Sequence, residues 1–412
     1  MAERVPEHRR RRGRASPRPL ACAGLFAGIG GIEHGLHRAG HRPVLLCEIE
    51  EHARAVLGER FAGCRLEADV RELQGLPEAD LVAAGFPCQD LSQAGGKEGI
   101  GGRKSGVVDA LFGLLRRNER KPPRWLLIEN VPYMLSLERG RAMAVLTRRL
   151  DELGFAWAYR VVDCRSFGIP QRRPRVILLA SPTEDPRAVL FPDEHGVCPV
   201  DDCLYEVDAD LWYGFYWTEG KRGVGWAASS VPPIKGGSGL GIPSPPAVWI
   251  PKRGFLGTID IRDAERLQGF PAGWTQVAAT GQRRGENVRW RLVGNAVCAV
   301  VAEWVGKRLR RPKDARLGAT ALRVMNRWPK AAWGARGEAF EVDRSMWPVK
   351  KPYRHLEDFL EFPLKPLSLR ATQGYQNRAR QCPYRLSREF LDGVAQHLQR
   401  MRKDDLGSAA RR

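Results

Sequence analysis

One cysteine stands where the chain could carry a nucleophile. Cys88 follows the apolar run DLVAA in the segment Gly85-Phe86-Pro87-Cys88-Gln89, and open α/β sheets place their chemistry at the carboxyl ends of strands. A thiolate is a strong soft nucleophile, and Pro87 stiffens the approach to it. A lone cysteine is more often a small buried hydrophobic residue, so its neighbours must decide between the two interpretations.

The segment after Cys88 is rich in glycine and positive charge. Residues 92–106, SQAGGKEGIGGRKSG, contain six glycines together with Ser92, Lys97, Arg103 and Lys104. A loop of this composition beside a nucleophile predicts a mobile lid that binds phosphate. The alternative is an ordinary surface loop.

Two further segments carry groups suited to acid–base chemistry and anion binding. Glu129 ends the apolar run WLLI, and partial desolvation at the end of a buried strand favours the protonated form of a carboxyl group, as a general acid requires. In Gln171-Arg172-Arg173-Pro174-Arg175, an extended backbone puts Arg173 and Arg175 on one face. These guanidinium groups could hold a carboxylate or a phosphate, although each could also be a surface charge.

The first predicted strand runs into Phe26-Ala27-Gly28-Ile29-Gly30-Gly31. Glycines there allow a tight turn and close approach of a ligand at a helix N-terminus. Glu48 ends the second strand, where a carboxylate accepts hydrogen bonds from ribose hydroxyls, and Asp69 is placed to bind an adenine amino group. The pattern predicts an adenosine-containing cofactor, with a purely structural strand-to-helix turn as the alternative.

The elements that position these groups alternate in type over residues 20–181. Short apolar runs separated by helix-length segments predict an α/β fold on a largely parallel sheet. The predicted strands are ACAGLF, PVLLCEI, DLVAAGF, RWLLIEN, FAWAYRVVD and PRVILLA. Residues 182–255 are rich in Gly, Pro and aromatic residues and predict a smaller, loop-rich unit. Helical spacing returns at IRDAERLQGF, at NAVCAVVAEWVGKRLRR and near the end of the chain, at Leu391, Val394, Leu398 and Met401.

These blocks, in this order, resemble the DNA (cytosine-5) methyltransferases. The matching blocks cover about residues 21–311 and are LFAGIGG, LLCEIE, EADV, GFPCQDLS, IENV, DCRSFGIPQRRPRVILLA, RDAERLQGFP and VGNAV. The resemblance implies an α/β, Rossmann-like mixed-sheet domain that binds S-adenosylmethionine, formed by residues 20–181 plus 290–312. It also implies a loop-rich target-recognition domain at 182–289. Residues 1–19 are rich in Arg and Pro and are expected to form a disordered basic leader, and residues 313–412, outside the resemblance, form a basic extension of unknown role.

The resemblance also implies residue roles. Cys88 would attack C6 of a flipped-out cytosine, Glu129 would act at the base ring, and Arg173 and Arg175 would support the base and Glu129. The cofactor pocket would be lined by Phe26, Gly28, Gly30, Gly31, Glu48, Asp69, Pro87 and Asn295. Contacts to DNA would come from Gln89, Ser92, Lys97, Arg103, Lys104 and Gln171.

Two positions depart from the pattern of these methyltransferases. Gly24 stands where Asp usually precedes the Leu-Phe of the first block, and Ile49 stands where an aromatic residue usually follows Glu48. The departures concern contacts to the methionine and adenine parts of the cofactor, and they leave the glycine turn and Glu48 in place.

The net charge, the apolar runs and the cysteine spacing limit which binding partners are expected. The 412 residues carry a net charge of +20, of which residues 1–20 hold +5 and residues 306–412 hold +14. This charge favours an anionic partner, here double-stranded DNA, but most of it lies outside residues 20–181 plus 290–312. No run of residues is long and apolar enough for a membrane span, and the nine cysteines include no CxxC pair. We therefore expect a monomeric cytoplasmic, nucleoid-associated protein without a metal site or a membrane partner.

Several interpretations stay open at this stage. The same fold could methylate cytosine in RNA, or the chain could be a catalytically silent DNA-binding relative. The setting could be restriction–modification, with a cognate restriction endonuclease acting separately, or an orphan or other defence role. The extension at 313–412 mixes Trp and Tyr with many Arg, which fits either a nucleic-acid surface or a structural wrap over the large domain.

Overall fold

A ten-stranded mixed sheet is the main element of the protein. The computed structural model describes residues 18–86, 106–219, 223–237, 243–281, 285–315, 318, 320–323 and 326–409. Within these residues the strand order of the large sheet is β12-β14-β13-β6-β7-β5-β4-β1-β2-β3, and a second, five-stranded sheet has the order β15-β11-β10-β8-β9.

The strands of the large sheet are β1 (Ala21–Leu25), β2 (Arg42–Cys47), β3 (Arg65–Glu67), β4 (Leu81–Ala84), β5 (Trp125–Asn130), β6 (Ala156–Asp163), β7 (Pro174–Ser181), β12 (Thr320–Ala321), β13 (Ala331–Ala335) and β14 (Glu338–Glu341). The strands of the small sheet are β8 (Tyr213–Phe215), β9 (Ala227–Ala228), β10 (Ala247–Ile250), β11 (Phe255–Thr258) and β15 (Lys365–Pro366).

The helices are α1 (Gly31–Arg38), α2 (Glu51–Arg60), α3 (Gly106–Arg117), α4 (Arg141–Glu152), α5 (Arg187–Leu190), α6 (Ile261–Leu267), α7 (Gly285–Asn295), α8 (Ala299–Arg310), α9 (Leu356–Phe359), α10 (Leu369–Ala379) and α11 (Arg388–Ala409). All six predicted strands form, and each of their ends lies within two residues of its expected position.

Five adjacent strands of the large sheet, β3-β2-β1-β4-β5, are parallel. Their chain order reverses between β1 and β4, which makes the carboxyl ends of those two strands the topological switch point where such sheets bind ligands. Every residue of β4 and β5 is buried, which is why these strands read as continuous apolar runs. The switch point lies where Phe26 follows β1 and Phe86 follows β4.

A late part of the chain returns to the first helix. Helix α8 packs against α1 so closely that a β-carbon at Gly35 would overlap the carbonyl oxygen of Ala299. A β-carbon at Gly31 would likewise overlap the carbonyl oxygen of Val297. Residues near 297 therefore belong to the same layer as the glycine turn, although more than 260 positions separate them in the sequence.

The carboxyl-terminal extension completes the large sheet. Strand β13 pairs antiparallel with β6, with Trp333 opposite Ala158, and β14 and β12 follow it outward. Strand β13 is short and lies about 170 residues from β6 in sequence, so local patterns did not predict this pairing.

The same extension covers the small sheet. Helices α10 and α11 bury Tyr375, Phe390 and Val394 against strand residues including Phe215 and Trp249. The ring centroid of Phe390 lies 5.1 Å from that of Trp249, in an edge-on arrangement. Val394 and Leu398 are buried as the helical spacing predicted, but the buried face continues to Phe390. Leu391 is 37% exposed, so its predicted place on that face is wrong.

The aromatic residues of the extension lie mostly in the interior. Trp328, Trp333, Trp347 and Tyr375 are buried, whereas Tyr384 is exposed. Buried rings cannot stack on nucleic-acid bases. The structure therefore favours the structural-wrap interpretation of residues 313–412 over an aromatic nucleic-acid surface.

Candidate active site

Glu129 and Arg175 form a close ion pair at the switch-point end of the sheet. They lie on the neighbouring antiparallel strands β5 and β7, and Nε of Arg175 is 2.9 Å from Oε1 of Glu129. Both side chains are about 10% exposed. This ion pair holds the carboxyl group of Glu129 in place at the end of β5.

Asn130 ties this carboxyl to the segment that leads to Cys88. The side-chain amide of Asn130 donates to the carbonyl oxygen of Phe86 at 2.9 Å, and its Oδ1 accepts from the N–H of Val131 at 2.9 Å. Asn130 is buried, so these bonds are shielded from competing water. Phe86 is two residues before Cys88, and the chain is therefore anchored beside Glu129 just before the predicted nucleophile.

The predicted nucleophile itself lies outside the described residues. The same is true of the following predicted cofactor and DNA contacts: Pro87, Gln89, Ser92, Lys97, Arg103 and Lys104.

The glycine turn after β1 is held by the carboxylate of Glu48. Oε2 of Glu48 accepts from the N–H of Gly28 at 2.8 Å, and Oε1 accepts from the N–H of Glu50 at 2.8 Å. Gly28 has φ +57°, and a β-carbon there would have no heavy atom within 4 Å, so the turn borders open space. The ring of Phe26 meets that of Phe86 edge-on at 6.2 Å. The predicted cofactor turn and the predicted catalytic segment are thus in contact.

Two other predicted pocket residues have different surroundings. Asp69 is partly exposed and is paired with Arg71, whose guanidinium group lowers the pKa of that carboxyl by hydrogen bonding. Asn295 is exposed at the end of α7, close to Gly236. The structure gives neither residue a direct contact to Glu48 or to the glycine turn.

The residues at this turn fit the nucleoside part of a cofactor. Glu48 has both oxygens fixed by backbone N–H groups and still has lone pairs free for ribose hydroxyls. Gly28 borders open space, so a ligand can approach these oxygens closely.

Arg173 joins segments of the protein rather than bonding Glu129. Its Nη2 donates to the carbonyl oxygen of Ala296 at 2.7 Å, and its Nη1 donates to that of Ile234 at 3.1 Å. Burial, with a contribution from the neighbouring Arg175, lowers the pKa of the Arg173 guanidinium to about 10. Arg173 thus connects β7 with two segments of the second half of the chain.

Gln171 has a similar connecting position. It is fully buried, and its Nε2 donates to the carbonyl oxygen of Leu267 at 2.7 Å. Its Oε1 accepts from the N–H of Ile234 at 3.2 Å. The prediction that Gln171 contacts DNA is not supported by this placement, because both polar atoms of its amide are used within the protein.

The amino-terminal half of the chain matches one enzyme family. Residues 20–196 match the family described as C-5 cytosine-specific DNA methylase. Over 379 residues the chain is 53% identical to the Type II methyltransferase M2.BsuMI of Bacillus subtilis (strain 168), which covers 91% of this chain and 97% of that protein. The chain belongs to the C-5 cytosine-specific DNA methylase family.

Other proteins are similar to this methylase over most of their length. The Type II methyltransferase M.NlaX of Neisseria lactamica is 29% identical over 316 residues, covering 69% of this chain and 95% of that protein. The crystal structure of S. pombe Dnmt2 methyltransferase aligns with a TM-score of 0.52 at 19% identity, covering 70% of this chain and 98% of that chain. The predicted Rossmann-like methyltransferase fold is thereby confirmed.

Sequence reasoning missed several residues that organise the site of this methylase. Asn130 is recognisable in the sequence only as part of the IENV segment, which does not predict its contacts. Arg291 of α7 donates to Oε1 of Glu50 at 2.9 Å, and the indole of Trp274 donates to the carbonyl oxygen of Ile29 at 2.9 Å. These contacts join positions that lie far apart in sequence, so no local sequence pattern predicts them.

The described part of the chain shows neither a membrane-spanning helix nor a cluster of metal ligands. No helix there is both long and apolar enough to cross a membrane. No group of three or more His, Cys, Asp or Glu side chains is arranged there to hold a metal ion.

Proposed function

We propose that this methylase transfers a methyl group from S-adenosylmethionine to C5 of a cytosine flipped out of a specific duplex DNA sequence, with Cys88 as the nucleophile. One observation carries the proposal. The Asn130–Phe86 hydrogen bond anchors the segment before Cys88 beside a Glu129 carboxyl group that Arg175 holds. Nucleophile, acid and cofactor turn would then converge at the switch point of one sheet.

The chemistry needs these residue types because cytosine C5 is a poor nucleophile. The Cys88 thiolate would add to C6, which makes C5 electron-rich as in an enamine. Glu129 would bond cytosine N3 and so offset the charge that develops in the ring. The electron-rich C5 would then form the bond to the methyl group as the methyl–sulfur bond breaks. Loss of the C5 proton would finally let the Cys88 thiolate leave and restore the aromatic ring.

The cofactor would lie at the glycine turn. S-adenosylmethionine, when bound, supplies an electrophilic methyl group on a sulfonium centre. Glu48 would bind the ribose hydroxyls, while Gly28, Gly30 and Gly31 would let the backbone approach the ligand. Phe26 and Pro87 would line the pocket, with Asp69 and Asn295 at its margins.

Duplex DNA would be bound by two parts of the chain. Residues 20–181 plus 290–312 form the proposed catalytic domain, and residues 182–289, which contain most of the small sheet, form the proposed target-recognition domain. Lys97, Arg103 and Lys104 would contact phosphates near the flipped base, with Gln89 and Ser92 beside it. Flipping costs a few kcal/mol, which these contacts must offset.

The relatives suggest the biological setting. Both M2.BsuMI and M.NlaX carry the name Type II methyltransferase, and this chain is 53% identical to the first. We propose that this methylase protects DNA from a cognate restriction endonuclease that acts separately. We expect it to act as a monomer in the cytoplasm, at the nucleoid.

Expression in a bacterial host that lacks 5-methylcytosine, followed by sequencing of chemically converted DNA, tests the proposal. The expected result is methylation at one short recurring sequence, lost with Cys88→Ser. Purified enzyme should transfer methyl groups to duplex DNA and not to tRNA. Unmethylated host DNA, or transfer to tRNA alone, would refute the assignment of duplex DNA as substrate.

A further inference from the structure

Residues 294–297, at the end of α7 and just after it, lie directly against the proposed target-recognition domain. A β-carbon at Gly294 would overlap the carbonyl group of Lys235 and the amide nitrogen of Gly236. A β-carbon at Gly236 would in turn overlap Oδ1 of Asn295. The two segments therefore approach each other so closely that a side chain at either glycine would displace the opposite segment.

A buried guanidinium group holds these two segments together. Arg173 donates from Nη1 to the carbonyl oxygen of Ile234 at 3.1 Å and from Nη2 to that of Ala296 at 2.7 Å. All three residues are buried, so water does not compete for these hydrogen bonds. The close approach is thus fixed by the interior of the protein and is not a chance contact of two surface loops.

The next residue along, Val297, touches both halves of the proposed active site. Its carbonyl oxygen lies where a β-carbon at Gly31 would be, at the start of α1 after the glycine turn. Its Cγ2 would lie 3.4 Å from a β-carbon at Gly85, three residues before Cys88 in the sequence. Val297 therefore packs against the cofactor turn and against the segment that leads to the proposed nucleophile.

We propose that residues 294–297 couple DNA recognition to cofactor binding, with Gly236 as the positioning residue on the recognition side. This inference rests on the proposed function, because it concerns the two substrates of that same reaction. DNA that orders the segment at Gly236 also positions Asn295 and, through Val297, the cofactor turn. By thermodynamic linkage, a cofactor that fixes the turn then favours DNA binding by the same factor.

Gly223, in the same proposed domain, provides a matched comparison for Gly236. Neither glycine has a positive φ, so alanine is compatible with the backbone at both positions. A β-carbon at Gly223 would have no heavy atom of the described residues within 4 Å, whereas one at Gly236 would displace the side-chain amide of Asn295. Alanine therefore disturbs the contact with residues 294–297 at position 236 and leaves that contact intact at position 223.

Calorimetry of S-adenosylhomocysteine binding, with and without duplex DNA, measures the coupling. The DNA is a short unmethylated duplex that carries the sequence identified by the converted-DNA experiment. We expect this duplex to raise the S-adenosylhomocysteine affinity of the wild type by about tenfold, and Gly236→Ala to lower that factor to less than about threefold. Gly223→Ala should keep the wild-type factor. The DNA affinity, measured with and without S-adenosylhomocysteine, should give the same factor for each protein.

A double substitution tests whether the effect passes through Asn295. Asn295→Ala should itself lower the coupling factor, because it removes the side chain that Gly236 contacts, and adding Gly236→Ala should then change the factor by less than about twofold. Additive losses would overturn the inference, as would a coupling factor that Gly236→Ala leaves unchanged. A wild type that binds the two ligands independently would also overturn it, while the proposed function would stand. Failure of the wild type to bind one of the two ligands would contradict the proposed function itself, and the inference with it.

Discussion

The side-chain amide of Asn130 donates a hydrogen bond to the carbonyl oxygen of Phe86, and the two atoms are 2.9 Å apart. The bond connects the end of β5, where Glu129 lies, with the residue that follows β4 by two positions. The bond fixes the distance between the ends of β4 and β5. At these ends the proposed acid, Glu129, and the proposed nucleophile, Cys88, must both reach the same cytosine.

Asn130→Asp should reduce methyl transfer without preventing folding. The substitution replaces the donor with an acceptor that faces a carbonyl oxygen, and misplacing a catalytic group by about 1 Å can cost on the order of 100-fold in rate. We expect kcat to fall by about that factor and cofactor affinity to stay within about threefold. Asn118→Asp is the control, because Asn118, directly after α3, also donates to a carbonyl, that of Leu114 in α3, away from the site. Equal kcat for the wild type and Asn130→Asp would show that this bond does not position the nucleophile.

Gly28→Ala should weaken cofactor binding more than it weakens the fold. Gly28 and Gly63 both have positive φ, of +57° and +84°, and neither would meet an atom within 4 Å with a β-carbon added. Alanine at either position should therefore cost a similar backbone strain, about 1 kcal/mol of unfolding free energy. Only at Gly28 would the added methyl group enter the open space beside Glu48 that is proposed for the cofactor, so S-adenosylhomocysteine affinity should fall with Gly28→Ala alone. Matching affinity losses for the two variants would place the ligand away from this turn.

Phe390→Ala should test whether the carboxyl-terminal helix is structural. Phe390 is 1% exposed and packs on Trp249, while the adjacent Leu391 is 37% exposed. Removing a buried phenylalanine side chain costs about 3–5 kcal/mol, whereas Leu391→Ala should change the free energy of unfolding far less. Chemical denaturation measures both. Similar, small effects of the two substitutions would mean that α11 does not cover the small sheet in solution.

Glu33 should make stability depend on pH in a predictable direction. Burial, with the like charge of Glu48, raises the pKa of Glu33 from 4.5 to about 7. The folded protein therefore binds more protons than the unfolded chain between these values, and the stability contributed by protonated Glu33 is lost as pH rises through about 7. Relative to Glu33→Gln, the free energy of unfolding of the wild type should fall by roughly 2–3 kcal/mol between pH 5 and pH 8. Cys22, Cys64, Asp80 and Arg42 also lie in this neighbourhood, so the comparison with Glu33→Gln isolates the glutamate. Parallel stability curves for the two proteins would show that Glu33 has an ordinary ionisation.

The sequence predicted the parts of the fold that local chemistry determines. Continuous apolar runs such as Leu81–Ala84 appear as buried parallel strands, and the blocks around Glu48 and Glu129 lie at strand ends, as expected for an open sheet. The turn glycines were recognisable because Gly28 and Gly30 have a conformation that other residues rarely adopt.

The features that escaped prediction depend on packing between distant segments. Nothing near Trp333 indicates that it will lie opposite Ala158 in the large sheet. Gln171 and Arg173 read as exposed polar residues, yet both are buried because the chain near Ile234 supplies their partners. Polar residues of this kind become interpretable only when the opposing backbone is known.

Covalent trapping tests the central claim most directly. Duplex DNA in which 5-fluorocytosine replaces the target cytosine should capture the enzyme in the presence of S-adenosylmethionine, because C5 then has no proton to lose and the Cys88–C6 bond cannot break. We expect a denaturation-resistant complex whose cross-linked peptide contains Cys88, and no complex with Cys88→Ser. An enzyme that methylates duplex DNA but forms no such adduct, or forms it through another residue, would contradict the account.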